Sequence, residues 1–345
     1  MQFSLPSLES IFESWMLKAI WYPDNQNLIV QGAPGTGKTV VALHRFLEWK
    51  RQWKKILLLC FNKLLREFIV WNATSFSQNI KTIDSLWYSM IQESKSFIRN
   101  ASHESLLSHF SQYVQKYGKF EHIIIDEAQD LTKDILNALL LITDHITILL
   151  DENQIISNEG VINISLQEAK DILWNPPQIT LNRNYRNTKE IYTFAAERFL
   201  PKSEFANDAM LTKNAPSDPT SLPEMIRDKK SLYDRNESIL SIIDTVPHDR
   251  TIGILVPDKD SVKAISDGLA ERWLEFSHYS FSEKKEDRRY FSRINIITHA
   301  TSKGLEFDAV IVVVYKNGMP EEKINEKLYV LSSRAKKKLY FIFNY

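Results

Sequence analysis

The stretch Gly32–Thr39, which reads GAPGTGKT, constrains the fold of this chain more than any other segment. It fits the phosphate-binding pattern G-x-x-x-x-G-K-[ST], follows the apolar run Leu28–Val30 and precedes an amphipathic segment that begins at Val40. The pattern predicts a strand, a loop whose backbone N–H groups surround a polyphosphate, and a helix whose positive end faces the same phosphates. Lys38 is predicted to reach the β- and γ-phosphates and Thr39 to bind Mg²⁺. The predicted nucleotide-binding residues of the loop are Gly32, Ala33, Pro34, Gly35, Thr36, Gly37, Lys38 and Thr39.

Composition narrows the class of protein. The 345 residues, 43% of them hydrophobic, leave room for two domains with separate cores. Basic and acidic residues number 43 each, so a nucleic-acid surface would have to be a local cluster. The single cysteine, Cys60, lies in an apolar run and is predicted to be a buried, inert thiol. We expect a cytoplasmic setting without a membrane partner, because no signal peptide or membrane-length apolar run is evident.

Short apolar runs alternate with helical patterns, which is typical of parallel sheets built from βαβ units. The first series of predicted strands is Leu28–Gln31, Ile56–Phe61, Ile123–Asp126 and Ile146–Asp151. The second series is Ile179–Leu181, Ile252–Val256, Ile294–Thr298, Ala309–Val314 and Leu339–Phe343. The segment Trp174–Pro177 is predicted to be a linker because paired prolines do not continue a helix. The predicted domains are therefore residues 1–175 and 176–345.

The segment Ile123–Asp130, which reads IIIDEAQD, is the second candidate for chemistry. A strand that ends in adjacent carboxylates places both at the carboxyl edge of the sheet, where the phosphate loop also lies. Asp126 is predicted to bind Mg²⁺, and Glu127 to orient and deprotonate an attacking water. The alternative is an ordinary helix N-terminus, which Asp and Glu also favour.

These segments, together with further motifs in a fixed order, resemble the motor core of superfamily 1 helicases of the UvrD/Rep type. The further motifs are Leu58–Lys63, Thr82–Leu86, Leu149–Gln154, Leu181–Arg186, Thr298–Phe307 and Leu328–Lys336. The resemblance implies an α/β fold with two RecA-like domains, whose parallel sheets are flanked by helices, and an ATP cleft between them. It also implies a small insertion at about residues 87–121 of the first domain.

The resemblance assigns roles to residues of both domains. Gln154 would sense the γ-phosphate, and Arg186 and Arg334 would stabilise the charge of the transition state as arginine fingers. Tyr185 would stack on adenine, and Glu306 would reach the ribose hydroxyls. The alternatives are solvated surface arginines and an ordinary tyrosine of the core or rim. The residues predicted to contact nucleic acid are Phe61, Asn62, Thr82, His299 and Lys303; Phe61 could equally pack in the core.

The chain matches the family pattern less completely in the segments that would contact a nucleic-acid strand. The available insertions are short, the adenine-recognising glutamine has no clear counterpart, and Asp84 stands where a histidine is usual.

The first hypothesis is an ATP-dependent translocase or helicase on single-stranded nucleic acid, with DNA favoured over RNA and 3′-to-5′ polarity taken from the family. The second is a helicase-like ATPase subunit that needs a partner such as a nuclease. The third is a nucleotide-dependent switch. The run Lys336–Lys338 is assigned to the solvent face of a helix end, and the eight tryptophans to packing.

Overall fold

The computed structural model describes residues 14–60, 63–91, 98, 101–151, 163–200, 215–228, 232–279, 292–315 and 320–344. The chain divides into two compact units, of which one runs from Phe3 to Asn182 and the other contains Arg183–Tyr345. Each unit has a parallel sheet flanked by helices, so the predicted α/β fold with two RecA-like domains is confirmed.

The first unit is built on a six-stranded parallel sheet in the order β3-β2-β4-β5-β1-β6. Its strands are β1 Leu28–Gly32, β2 Ile56–Cys60, β3 Ile80–Thr82, β4 Phe120–Ile125, β5 Thr143–Leu150 and β6 Gln178–Leu181. Its helices are α1 Ser14–Ile20, α2 Lys38–Arg51, α3 Lys63–Asn72, α4 Ile83–Ile91, α5 His103–Tyr117, α6 Lys133–Leu139 and α7 Leu166–Ile172. Alternate residues of β4 enter different cores, since Ile123 and Ile125 pack in one hydrophobic cluster and Ile124 in the other. Both faces of the sheet are therefore covered, which explains its continuous apolar strands.

The second unit has its own six-stranded parallel sheet in the order β7-β12-β11-β8-β10-β9. Its strands are β7 Glu224–Asp228, β8 Ile252–Val256, β9 Phe276–Tyr279, β10 Ile294–Thr298, β11 Phe307–Tyr315 and β12 Ala335–Asn344. Its helices are α8 Lys189–Phe199, α9 Leu232–Thr245, α10 Lys259–Ala270 and α11 Glu321–Ser332. The predicted motif Thr298–Phe307 runs from the carboxyl end of β10 to the start of β11, and the predicted motif Leu328–Lys336 runs from α11 into the start of β12.

The predicted strand Ile179–Leu181 belongs to the first sheet rather than the second. It lies within β6, which pairs with β1, and the Ile29 N–H donates to the carbonyl of Pro177 at 3.0 Å. The segment Trp174–Pro177 therefore connects α7 to β6 inside the first unit, and the interpretation of this segment as a linker is wrong. The two units divide after Asn182 instead of after residue 175.

Two interpretations of surface composition are also wrong. The run Lys336–Lys338 lies at the start of β12 and not at a helix end. Trp53, Trp174 and Trp273 are 95%, 86% and 94% exposed, so they do not pack in a core. Each has a positive φ just after the end of a helix, where a left-handed residue turns the chain into the next connection.

Among the described residues, no helix is long and apolar enough to cross a membrane. The predicted cytoplasmic setting stays a prediction. Within the predicted insertion at about residues 87–121, the described part contains the end of α4 and helix α5.

Candidate active site

The predicted phosphate loop connects β1 to α2 in a closely packed turn. Gly37 immediately precedes α2 and has a φ of 92°, a left-handed conformation that glycine adopts without strain. A Cβ atom on Gly32 would lie only 2.4 Å from Oγ1 of Thr36. The Thr36 hydroxyl also donates to the carbonyl of Ala33 at 2.8 Å. The loop therefore requires glycine at both positions, and its backbone forms a cradle at the N-terminus of a 14-residue helix.

The ammonium of Lys38 lies inside this loop. Its Nζ atom donates to the carbonyls of Gly32 at 2.6 Å and Ala33 at 3.1 Å, and lies 3.9 Å from a carboxylate oxygen of Asp151. The residue is only 6% exposed. A buried positive charge is thus held where the loop predicts a polyphosphate.

The two predicted metal ligands are in direct contact. The Thr39 hydroxyl donates to Oδ2 of Asp126 at 2.6 Å. Burial, together with the neighbouring charge of Glu127, raises the pKa of the Asp126 carboxyl to about 7, against the opposing effects of Thr39 and Lys38. A hydroxyl and a carboxylate that lacks full charge compensation form a suitable oxygen donor set for Mg²⁺, which binds through few protein ligands and substrate phosphates. The residues present therefore fit the predicted metal.

The predicted general base, Glu127, has an uncommon backbone conformation. Its φ of 59° is left-handed, and the residue is 7% exposed. Its N–H donates to Oδ1 of Asp126 at 3.2 Å, and its Oε2 accepts from Nε2 of Gln129 at 2.5 Å. Left-handed non-glycine residues cost about 1–3 kcal/mol and cluster at functional sites. The sequence assigned no role to Gln129, and only its place inside the DEAQD motif marks it.

In the second unit, two buried asparagines connect the segments that carry the predicted arginines. The Oδ1 atom of Asn184 accepts from the N–H groups of Arg186 at 2.9 Å and Asn187 at 3.0 Å. The Asn187 amide donates to the carbonyls of Ser333 at 3.2 Å and Ala335 at 2.6 Å, which flank Arg334 in the sequence. Asn184 lies in the predicted motif Leu181–Arg186, but the sequence assigned neither asparagine a role, since spacing alone does not reveal which distant carbonyl an amide binds.

Glu306 lies between two cations of the second unit. Its Oε2 accepts from Nε of Arg186 at 2.7 Å, and its Oε1 lies 2.7 Å from Nζ of Lys336. Burial opposes ionisation, but the charges of Arg186 and Lys336 outweigh it and lower the pKa of Glu306 to about 2. The structure thus gives Glu306 two cationic partners, and its contact with a ribose stays a prediction.

The two other nucleotide-binding candidates of this unit differ in exposure. Arg334 is 1% exposed, and its Nε donates to the carbonyl of Val330 at 3.1 Å. Tyr185 is 44% exposed, and the Arg183 guanidinium lies 5.4 Å from its ring centroid. An accessible ring of this kind can stack on a base, and the contact of Tyr185 with adenine stays a prediction.

The residues predicted to contact nucleic acid are buried where the structure describes them. Thr82 is 9% exposed, and its hydroxyl accepts from the Ser85 N–H at 3.1 Å in the first turn of α4. His299 is 5% exposed, and burial together with the charge of Lys327 lowers its pKa to about 3. Lys303 is 1% exposed. Their contact with nucleic acid stays a prediction, and Phe61, Asn62 and Gln154 lie outside the described residues.

A phosphate loop after β1, paired carboxylates after β4, and a second parallel sheet with the arginine motifs define a superfamily 1 helicase core. The chain belongs to the family described as Schlafen group 3, DNA/RNA helicase domain, whose family model matches residues 25–317. A second family model, the UvrD-like helicase C-terminal domain, matches residues 294–342.

One similar protein, from Acanthamoeba polyphaga mimivirus, is provisionally named an ATP-dependent DNA helicase. The two are 26% identical over 327 residues, which cover 83% of this chain and 45% of the relative. The chain thus spans less than half the length of this relative. A helicase structure from PRRSV aligns with 95% of this chain and 54% of its own, at 11% identity and a TM-score of 0.41. This last likeness is too weak to support an argument about fold or function.

Proposed function

We propose that this chain is an ATP-dependent translocase or helicase on single-stranded nucleic acid, with DNA favoured over RNA. The observation that carries the proposal is the group at the carboxyl edge of the first sheet, in which Lys38, Asp126 and Glu127 are buried and the partly buried Thr39 donates to Asp126. The name of the mimivirus relative supports DNA as the polymer, and the family description includes both DNA and RNA.

The residues of the first unit suit hydrolysis of a nucleoside triphosphate. The loop N–H groups and Lys38 would bind the β- and γ-phosphates, while Thr39 and Asp126 would hold Mg²⁺. When bound, Mg²⁺ would neutralise charge that develops on the phosphate oxygens. Glu127 would orient the attacking water and accept its proton. Its buried carboxylate and fixed backbone support this role.

The second unit would supply positive charge to the transition state. Arg186 and Arg334 are the candidates, and the buried asparagines support their joint placement within this unit. The role of both arginines toward the same γ-phosphate rests on the motif order. The 3′-to-5′ polarity is likewise part of the proposal and rests on the family resemblance.

The second candidate function is an ATPase subunit that needs a protein partner, such as a nuclease, to unwind a duplex. The short connections favour it, because only residues 280–293 separate β9 from β10, and residues 92–119 separate α4 from β4. The chain also spans less than half the length of its mimivirus relative.

The deciding experiment is ATP hydrolysis by the purified protein, titrated with single-stranded DNA, single-stranded RNA and duplex DNA. We expect turnover that rises with single-stranded DNA and that Lys38→Ala abolishes. Lys50→Ala, in the last turn of the same helix, is the matched control and should hydrolyse ATP normally. Undetectable turnover with every polymer would contradict the proposal and favour a nucleotide-dependent switch.

Unwinding separates the first two functions. Duplexes with a 3′ or a 5′ single-stranded tail should be offered to the protein with ATP. Steady unwinding of the 3′-tailed duplex by the protein alone would support the translocase and exclude the need for a partner. ATP hydrolysis without strand displacement would favour the partner-dependent subunit.

A further inference from the structure

Gln129 is a buried amide that touches the predicted general base. It lies in the short 3-10 turn Ala128–Asp130, directly after β4 and the two site carboxylates, and is 1% exposed. Its Nε2 donates to Oε2 of Glu127 at 2.5 Å, and its Oε1 accepts from the N–H of Asp151 at 3.1 Å. Both ends of the amide are therefore engaged by groups of the first unit.

The chemistry of the two partners fixes the orientation of this amide. Reversing it would place Oε1 against the carboxylate of Glu127 and Nε2 against the N–H of Asp151. Two acceptors would then face each other, as would two donors, in a buried position where an unmade hydrogen bond costs about 1–3 kcal/mol. The amide thus presents an N–H to Glu127 in a single arrangement.

Gln129 also connects the two strands whose ends form the site. Glu127 follows β4, whereas Asp151 follows β5, and the Asp151 carboxylate lies 3.9 Å from Nζ of Lys38. Parallel strands β4 and β5 pair up to Ile125 and Ile148, so the Gln129 amide continues the connection between them beyond the last paired residues. The Gln129 amide thereby connects the Glu127 carboxylate to the backbone of Asp151, whose side chain lies near Lys38 of the phosphate loop.

We propose that Gln129 is a positioning residue for ATP hydrolysis, which holds the Glu127 carboxylate in the orientation that accepts a proton from water. This role rests on the proposed function of the same site. A carboxylate on a flexible side chain loses rate when it leaves its productive geometry, and small displacements at a reacting centre can cost about 100-fold. The left-handed backbone of Glu127 fixes its Cα, and the Gln129 amide fixes the far end of the same side chain.

The chain offers a matched control near the middle of β5. The Asn27 side chain accepts from the N–H of Ile146 at 2.9 Å and donates to the carbonyl of Leu173 at 3.5 Å. Like Gln129, it is an amide that bridges the backbone at β5 to a second segment, but within the described part of the chain its hydrogen bonds reach no residue of the proposed site. Asn27→Ala therefore reports the loss of a structural amide bridge in the same unit.

The experiment compares the steady-state ATP hydrolysis of Gln129→Ala, Gln129→Glu and Asn27→Ala with that of the wild type, at saturating single-stranded DNA. We expect both Gln129 variants to lower kcat at least about 10-fold with the KM for ATP changed less than about 2-fold. Gln129→Glu keeps the acceptor for the Asp151 N–H and is nearly isosteric, so it covers the case in which Gln129→Ala does not fold. Asn27→Ala should keep kcat within about 2-fold.

A double mutant shows whether Gln129 acts through Glu127. In the Glu127→Gln background, adding Gln129→Ala should cause no further loss in the single-turnover rate, because the carboxylate to be positioned is gone. Equal fractional losses in both backgrounds would overturn the role, as would a Gln129→Glu variant with wild-type kcat. A wild type without any turnover would overturn the proposed function and this role together, whereas an active wild type with unaffected Gln129 variants would overturn the role alone.

Discussion

The two units have the same kind of parallel sheet, but the pKa of a carboxylate in a predicted motif is shifted in opposite directions in the two. In the first unit, Asp126 lies beside Glu127, and burial with this like charge raises its pKa to about 7. In the second unit, Glu306 contacts Arg186 and Lys336, whose charges lower its pKa to about 2. The first unit therefore holds negative charge that a bound cation would compensate, while the carboxylate of the second unit is already compensated.

In the proposed ATPase, this difference would give two similar folds different tasks. The first unit keeps an electrostatically costly site that a metal ion and a nucleotide would relieve on binding. In the second unit, the charge of Glu306 is balanced within the protein by Arg186 and Lys336.

Among variants that leave the phosphate loop intact, removal of the arginines should produce the largest loss of activity. We expect Arg186→Ala and Arg334→Ala each to lower kcat by about 10³–10⁵-fold, the range for arginines that stabilise phosphoryl transfer. Replacement of either arginine by lysine should not restore kcat, because an ammonium does not reproduce the planar guanidinium. The check is ATP turnover, with the exposed Arg198→Ala as the control. Near-normal turnover in either alanine variant would show that the arginine replaced in it does not act in ATP hydrolysis.

Removal of the general base should rank next. Glu127→Gln should lower kcat by about 10²–10⁴-fold, the usual contribution of general acid–base catalysis. Because the phosphate loop is untouched, the variant should bind ATP as tightly as the wild type, whereas Lys38→Ala should weaken binding. Equilibrium binding of a fluorescent ATP analogue measures this. Normal hydrolysis by Glu127→Gln would show that another group accepts the proton.

The site carboxylates should have opposite effects on stability. The raised pKa of Asp126 means that its stabilising contribution is fully present below about pH 4 and is lost as the pH rises through 7. The lowered pKa of Glu306 means that its contribution is present above about pH 4.5 and is lost as the pH falls through 2. At pH 8, Asp126→Asn should thus stabilise the protein and Glu306→Gln destabilise it, each by about 1–3 kcal/mol.

Thermal melts at pH 8 and pH 5 check this pair of variants. The gain from Asp126→Asn should shrink at pH 5, and saturating Mg²⁺ with an ATP analogue should favour the wild type over Asp126→Asn. Shifts of the same sign in both variants at pH 8 would contradict the electrostatic contrast between the units.

The smallest effect should come from strained tryptophans, and it should be equal in the two units. Trp53→Gly in the first unit and Trp273→Gly in the second should each be more stable than the alanine variant at that position, by about 0.5–1 kcal/mol. The reason is that glycine adopts a left-handed φ without the penalty that alanine retains. Urea unfolding measures the difference. An alanine variant that is more stable than the glycine variant at either position would show that the left-handed backbone there is not strained.

The sequence predicted the central strands well and the edges poorly. The missed strands are β3, β7 and β9, and all lie at a sheet edge. Edge strands pair on one side only, so they can be short and polar, as in β7 with the sequence EMIRD. The remaining edge strand, β6, was found but placed in the wrong sheet, because periodicity does not specify the pairing partner.

At the candidate site, residue identities were predictable and partners were not. Fixed spacing located Lys38, Asp126 and Glu127, because the phosphate loop and the strand that ends in carboxylates are local patterns. The pairing of Arg186 with Glu306 joins residues 120 positions apart, and only the folded second unit shows it. The same applies to Asn187, whose amide binds carbonyls of a distant segment.

Because Cys60 is buried, the rate at which its thiol is labelled measures how often the first unit opens. The chain contains one cysteine, which lies in β2 between β3 and β4 and is 1% exposed. Burial and the nearby charge of Asp126 raise the pKa of its thiol, so a thiol-labelling reagent must wait until this sheet opens. Because the second unit contains no thiol, the labelling rate reports the opening of the phosphate-loop unit alone. Bound nucleotide should therefore slow the labelling of Cys60, and a nucleotide that binds the closed sheet more tightly should slow it more.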